Sequence, residues 1–169
     1  DPQNSVLGRR IIAESIVMID ALGFELFTFK KLAEKIESTE ASVYRYFENK
    51  HRVLIYLIDW YWTWMEYRIS NAMVNLKNAD DKLKTCLAIL TEENKFDENV
   101  SYVDEAALQR IVVAEFEKAY LTKNVDADNA EGLFLPYKLL CNKIAGVICE
   151  ANPKYTFAKT LVSTIMLSV

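Results

Sequence analysis

Glycine occurs 4 times and proline 3 times in 169 residues. So few breakers exclude a many-turned β architecture and leave long uninterrupted stretches, which favour helices. Three cysteines, Cys86, Cys141 and Cys149, are odd in number and make no disulfide framework in a chain of this length. They read as reduced thiols of a cytoplasmic protein, packed in its core rather than redox-active. The single histidine, His51, sits in a polar context and reads as a surface residue. The sequence carries no G-x-G-x-x-G, Walker, H-E-x-x-H or C-x-x-C pattern, so an enzyme, a cofactor and a metal site are not expected. Adjacent acids such as Glu92-Glu93 and Asp104-Glu105 diverge on a helix, and Asp126 and Asp128 lack the spacing of a calcium loop. No run approaches the ~18 apolar residues of a membrane span, and no signal peptide is visible. A net charge of −4 excludes a protein coated in basic patches for non-specific nucleic-acid binding.

Apolar residues are plentiful, at 51%, which suffices for a substantial core. Their spacing is helical. Leu7, Ile11, Ile12, Ile16, Ile19 and Leu22 recur at three- and four-residue intervals and predict a helix over 5–22, ended by Gly23. Phe29, Leu32, Ala33 and Ile36 predict a short helix capped by Thr28. Ser38 or Thr39 caps the next, expected over 40–47, with Val43 and Phe47 on one face. Further helices are predicted near 50–76, 80–93, 102–122, 129–151 and 155–169, joined by the polar connections NKFDENV, KNVDAD and NPK.

A supporting helix, a helix, a tight turn and a second short helix make the arrangement of a helix-turn-helix DNA reader, whose second helix enters the major groove. With Val43 and Phe47 turned to the core, the other side chains of 40–47 face outward. Caps at the helix start aim N–H groups at phosphates. Tyrosine hydroxyls and Lys50 suit the DNA backbone, and Arg45 suits a guanine edge. The stretch TFKKLAEKIESTEASVYRYFENKHRVL resembles the N-terminal domain of TetR-family transcriptional regulators. The resemblance rests on Thr28, Leu32, Ala33, Thr39, Val43, Tyr44, Tyr46, Phe47, Asn49 and Lys50, with Leu54 and Ile55 following, and covers about residues 7–58. Glu37 stands where that family has a turn glycine, and Ser38 where it has an apolar residue. The resemblance implies phosphate contacts at Thr28, Tyr44, Tyr46 and Lys50, and base readout from Glu40, Ala41, Ser42 and Arg45 with Lys30 in addition. Thr39, as the cap, belongs to the same surface. Glu40 has two readings, an acceptor for a cytosine amino group or a favourable charge at a helix N-terminus.

The stretch DWYWTWMEY spreads its aromatics around the helix, with Trp60, Trp64 and Tyr67 on one face and Tyr61 and Met65 on another. These residues either cement neighbouring helices or line a small-molecule site, for which Trp60, Trp64 and Tyr67 are the candidates. The last two segments hold more apolar surface than one stripe needs, which fits an intramolecular core or, as the resemblance implies, a two-fold dimer interface. The expected fold is all-α. A three-helix helix-turn-helix DNA-binding head over 1–49 is followed by a helical effector-binding and dimerisation domain over 50–169. The resemblance implies a repressor, released from a palindromic operator in double-stranded DNA by a small-molecule effector, acting as a homodimer away from membranes. A helical protein-interaction module with a vestigial head is the alternative.

Overall fold

The computed structural model describes residues 1–92, 102–120 and 134–166. All regular structure among them is helical. The helices are α1 (Val6–Leu22), α2 (Phe29–Lys35), α3 (Glu40–Tyr44), α4 (Lys50–Met73), α5 (Ala79–Thr91), α6 (Glu105–Tyr120), α7 (Leu135–Ala151) and α8 (Ala158–Met166), with short 3₁₀ turns at Pro2–Asn4 and Phe24–Leu26. Six of the starts have a side-chain cap. Ser5, Thr28, Thr39 and Asn78 accept backbone N–H bonds from the first turns of α1, α2, α3 and α5. Asn49 does so for α4 through the Arg52 amide at 3.0 Å, and Asp104 for α6 through the Ala107 amide at 2.9 Å. Gly23 closes α1 at a φ of 79, which other residues rarely adopt.

Four expected boundaries shift by three residues, one of them the start of α6, which Asp104 caps at Glu105 rather than near 102. α3 stops at Tyr44 rather than Phe47; the chain leaves it in a turn in which the Tyr46 and Phe47 amides share the Val43 carbonyl. α4 stops at Met73 rather than Leu76, because Asn78 already caps the next helix. α8 starts at Ala158 rather than Tyr155, after a turn closed by the Tyr155 amide on the Asn152 carbonyl at 3.0 Å. The connections NKFDENV and KNVDAD, and the expected start of α7 near 129, lie outside the described residues.

The chain divides into two compact units, 1–58 with 94–125, and 59–93 with 126–169. The first is built on Ile11, Ile12, Ile16, Phe27, Leu32, Ile36, Val43 and Leu54, all covered to within 1%. α6 packs along α1 in this unit. Arg110 on α6 grips Asp20 on α1 with two bonds of 2.9 and 2.7 Å, and this pairing holds the Asp20 carboxyl below its usual range. In the second unit α7 packs against α5 and α8. Its interior holds Met65, Ile69, Cys86, Leu140, Ile144 and Val162. Burial pushes the Tyr61 and Tyr137 hydroxyls up to about 12. No helix among the described residues is long and apolar enough to cross a membrane.

Candidate nucleic-acid interface

The turn between α2 and α3 is made without glycine. Glu37 takes a φ of 50, the left-handed region. Its amide bonds the Glu34 carbonyl at 3.2 Å and the next amide, of Ser38, reaches back to the Ala33 carbonyl at 2.9 Å. That pair of bonds is a Schellman motif, with glutamate at the position that most often holds glycine. Arg10 on α1 adds a third tie, donating to the Ile36 carbonyl at 2.9 Å. The turn is therefore fixed by bonds at and beside Glu37 rather than by its residue type.

Behind α3, Val43 is fully covered and Phe47 is 6% exposed. In front, Glu40, Ala41, Tyr44 and Arg45 are exposed and Ser42 is half-buried. Tyr44 leans its ring edge-on against Phe29, with centroids 4.9 Å apart, yet stays 54% exposed. Its ring is thus fixed and its rim presented. Thr39 accepts the Ser42 amide at 3.2 Å and its hydroxyl meets that of Ser42 at 3.0 Å. Glu40 occupies the first turn of α3, where the helix dipole favours a negative charge. Thr28 and Lys30 are exposed on the first turn of α2.

Two expected phosphate contacts are engaged elsewhere. The Tyr46 hydroxyl lies 2.8 Å from that of Ser5, 41 residues away, and Tyr46 is half-buried. Lys50 donates to the carbonyls of Phe24 and Glu25, each at 3.1 Å, and its ammonium lies 4.7 Å from the centroid of the Phe24 ring. An ammonium shared by two carbonyls and an aromatic face is already solvated by protein. In this structure Tyr46 and Lys50 face into the head rather than away from it.

The ligand candidates on α4 differ in exposure. Trp60 and Trp64 are half-buried and stack with centroids 6.3 Å apart, while Arg68 lies over Trp64 at 4.8 Å. Tyr67 is 63% exposed. The covered aromatics are Tyr61 and Trp62, the latter beside Tyr137 at 5.5 Å. Trp62 belongs to neither of the two faces that the helical spacing defines; its partner Tyr137 lies on α7, which α4's own periodicity cannot reveal. A groove of about 490 Å³ lies between α7 and α8, lined by Asn142, Gly146, Cys149, Phe157 and Thr160 among others. Among the described residues no group of three His, Cys, Asp or Glu side chains forms a metal site. Cys86 and Cys141 are buried as expected, but Cys149 is exposed on the outer face of α7.

No family model matches the chain, and no curated protein matches it. Among solved structures the chain is similar to the fatty acid degradation regulator FadR from Bacillus halodurans, at 19% identity, over 93% of this chain and 91% of that one, with a TM-score of 0.43. Likeness at that level carries no argument, and the functional reading rests on the residues themselves.

Proposed function

We propose that the chain is a sequence-specific DNA-binding regulator of transcription, with no catalytic role, whose α3 enters a major groove. One observation carries this reading: a short capped helix, pinned from behind by Val43 and Phe47, offers Glu40, Ala41, Tyr44 and Arg45 to solvent. Arg45 reads a guanine edge, and Ala41 and Ser42 touch neighbouring bases. Thr28, Lys30, Thr39 and Tyr44 meet phosphates. Glu40 favours the start of α3. Tyr46 and Lys50 act from behind the reading surface.

The dimerisation proposal is supported by the outer face of α7. Leu135, Leu139, Asn142, Gly146 and Cys149 recur at intervals of four and three, the seven-residue period of helix pairing. Leu135 and Leu139 are each 52% exposed, and Phe157, just ahead of α8, is 67% exposed. A palindromic operator repeats its half-site about 34–36 Å along the duplex, and a two-fold pair is the assembly that carries one reading helix for each. In this proposal residues 1–49 read DNA and 50–169 carry dimerisation and effector binding. The effector is a small apolar molecule bound beside Trp60 and Trp64, and its binding releases the operator by shifting the population of α4 positions. A cytoplasmic, membrane-free setting completes the proposal. The competing reading, an interaction module with a vestigial head, draws on Glu37, Glu40 and the inward Lys50.

Selection of bound fragments from sheared genomic DNA with the purified chain tests the proposal. Enrichment of a palindromic sequence, with affinity that falls as salt rises, is expected. Recovery of no sequence above background defeats it in favour of the interaction module.

A further inference from the structure

The first five residues lie across the head in a defined pose. Pro2–Asn4 form a 3₁₀ turn started by Asp1, whose carboxylate accepts the Gln3 amide at 3.0 Å. The turn presses on Gly8, where an added Cβ would sit 2.0 Å from the Pro2 carbonyl oxygen. Only glycine permits that approach. Three side chains then connect this strap to the rest of the head. Arg9 donates to the Gln3 carbonyl at 2.9 Å. The Gln3 side-chain Nε2 donates to the Tyr56 hydroxyl on α4 at 3.0 Å. Ser5 accepts the Gly8 amide at 2.9 Å as the cap of α1, and the same oxygen meets the Tyr46 hydroxyl at 2.8 Å. Tyr56 in turn packs edge-on against Phe47, with centroids 5.4 Å apart. Tyr46 and Phe47 are the two residues by which the chain leaves α3, and both end on the strap or on its partner Tyr56.

α3 is only five residues long. A single helical turn is marginal by itself, so its pose depends on what holds its ends. Its start is held by Thr39 and the Schellman turn; its exit is held through Tyr46 and Phe47. Resting on the DNA-reading proposal above, we infer that Tyr46 is a positioning residue: its hydroxyl, bonded to Ser5, sets the angle at which α3 presents Arg45 and Tyr44 to DNA. Ser5 therefore performs two tasks with one oxygen, starting α1 and steering α3. The effect lies in the hydroxyl and not in buried area, because Tyr46 buries little that phenylalanine would not bury as well.

The test uses the full chain and the most enriched duplex from the genomic selection. Tyr46→Phe, Ser5→Ala, the double variant and Ser5→Thr are titrated at several salt concentrations. Amide hydrogen exchange of Val43 and Tyr44 is followed without DNA. The expected result is that Tyr46→Phe and Ser5→Ala each weaken binding by about fivefold or more, and that the double variant is no weaker than Ser5→Ala. Ser5→Thr, which keeps the hydroxyl, restores binding. The salt dependence stays unchanged throughout, and exchange at Val43 and Tyr44 speeds up in Tyr46→Phe while α1 amides hold. Tyr46→Phe leaves the Ser5 cap intact, so its effect is separate from any loss of α1. A salt slope reduced by about one in Tyr46→Phe, with Ser5→Ala neutral, makes Tyr46 a phosphate contact and overturns the inference. Additive losses, or unchanged exchange, overturn it too. Absence of DNA binding by the unaltered chain defeats the DNA reading instead, and the exchange rates then decide the strap by themselves.

Discussion

α3 and α7 both leave one face uncovered, but they uncover different chemistry. α3 offers Glu40, Ala41, Tyr44 and Arg45, polar or charged apart from one methyl and one aromatic rim. α7 offers Leu135, Leu139, Gly146 and Cys149 around one amide, Asn142. Polar donors on a rigid turn of helix suit the edges and phosphates of a duplex, which remain hydrated until contact. An apolar stripe of heptad spacing suits another helix with the same stripe. The contrast teaches that exposure by itself decides nothing; the type of group exposed is what separates the partners proposed for the two faces.

The largest expected effect comes from breaking the α7 side. Leu139→Glu places a charge twice in a two-fold seam and is expected to weaken self-association by about 100-fold or more, with far-ultraviolet dichroism unchanged. Sedimentation velocity measures this; an unaltered sedimentation coefficient assigns α7 no seam. Next comes the α3 side. Arg45→Ala is expected to lower operator affinity by roughly 10-fold, within the 1–3 kcal/mol of one bidentate base contact, without changing melting or association. Retained affinity would move base readout off Arg45.

A third measurement separates the α7 seam from the interior of its own unit. Burial raises the Asp59 carboxyl to about 7 from 3.8, and its Oδ1 has no hydrogen-bond partner among the described residues. Between about pH 4 and 7 the unfolded chain gives up this proton while the folded chain keeps it. Stability from this group therefore falls as pH rises through that window and is level above it. Asp59→Asn is expected to flatten that fall and to gain about 1–2 kcal/mol at pH 8, the full shift being discounted for the group's partial exposure. Equal pH dependence in the two proteins, by chemical unfolding, rejects the assignment. The smallest effect returns to the head. Glu37→Gly relieves a left-handed backbone and is expected to stabilise by about 0.5–1 kcal/mol, with DNA affinity unchanged. A fall in melting temperature would mean that the Glu37 side chain matters more than its φ.

The parts legible in the sequence were those decided within a few residues. Thr28 announced α2, the pair Ser38 and Thr39 announced α3, Gly23 closed α1, and Val43 and Phe47 marked the covered side of α3. The illegible parts depend on partners distant in the chain. Nothing around Tyr46 points to Ser5, and nothing around Lys50 points to the carbonyls of Phe24 and Glu25, 26 and 25 residues earlier. Gln3 and Tyr56 passed unnoticed for the same reason. A tyrosine or lysine beside a reading helix has the composition of a phosphate ligand whether or not the fold has already claimed its polar end. The exit from α3 was misjudged because Phe47 keeps helical spacing from Val43 while the backbone between them has already turned.

Lys50, tucked under the Phe24–Leu26 turn, changes how such a head would search a chromosome. A protein slides along random DNA on the strength of mobile cations that trade one phosphate for the next. With this ammonium folded inward and the first 52 residues balanced at eight basic and eight acidic groups, such a head would slide on fewer cations, Lys30 and Arg45 among those still facing out. More of its search would then run by repeated collision from solution.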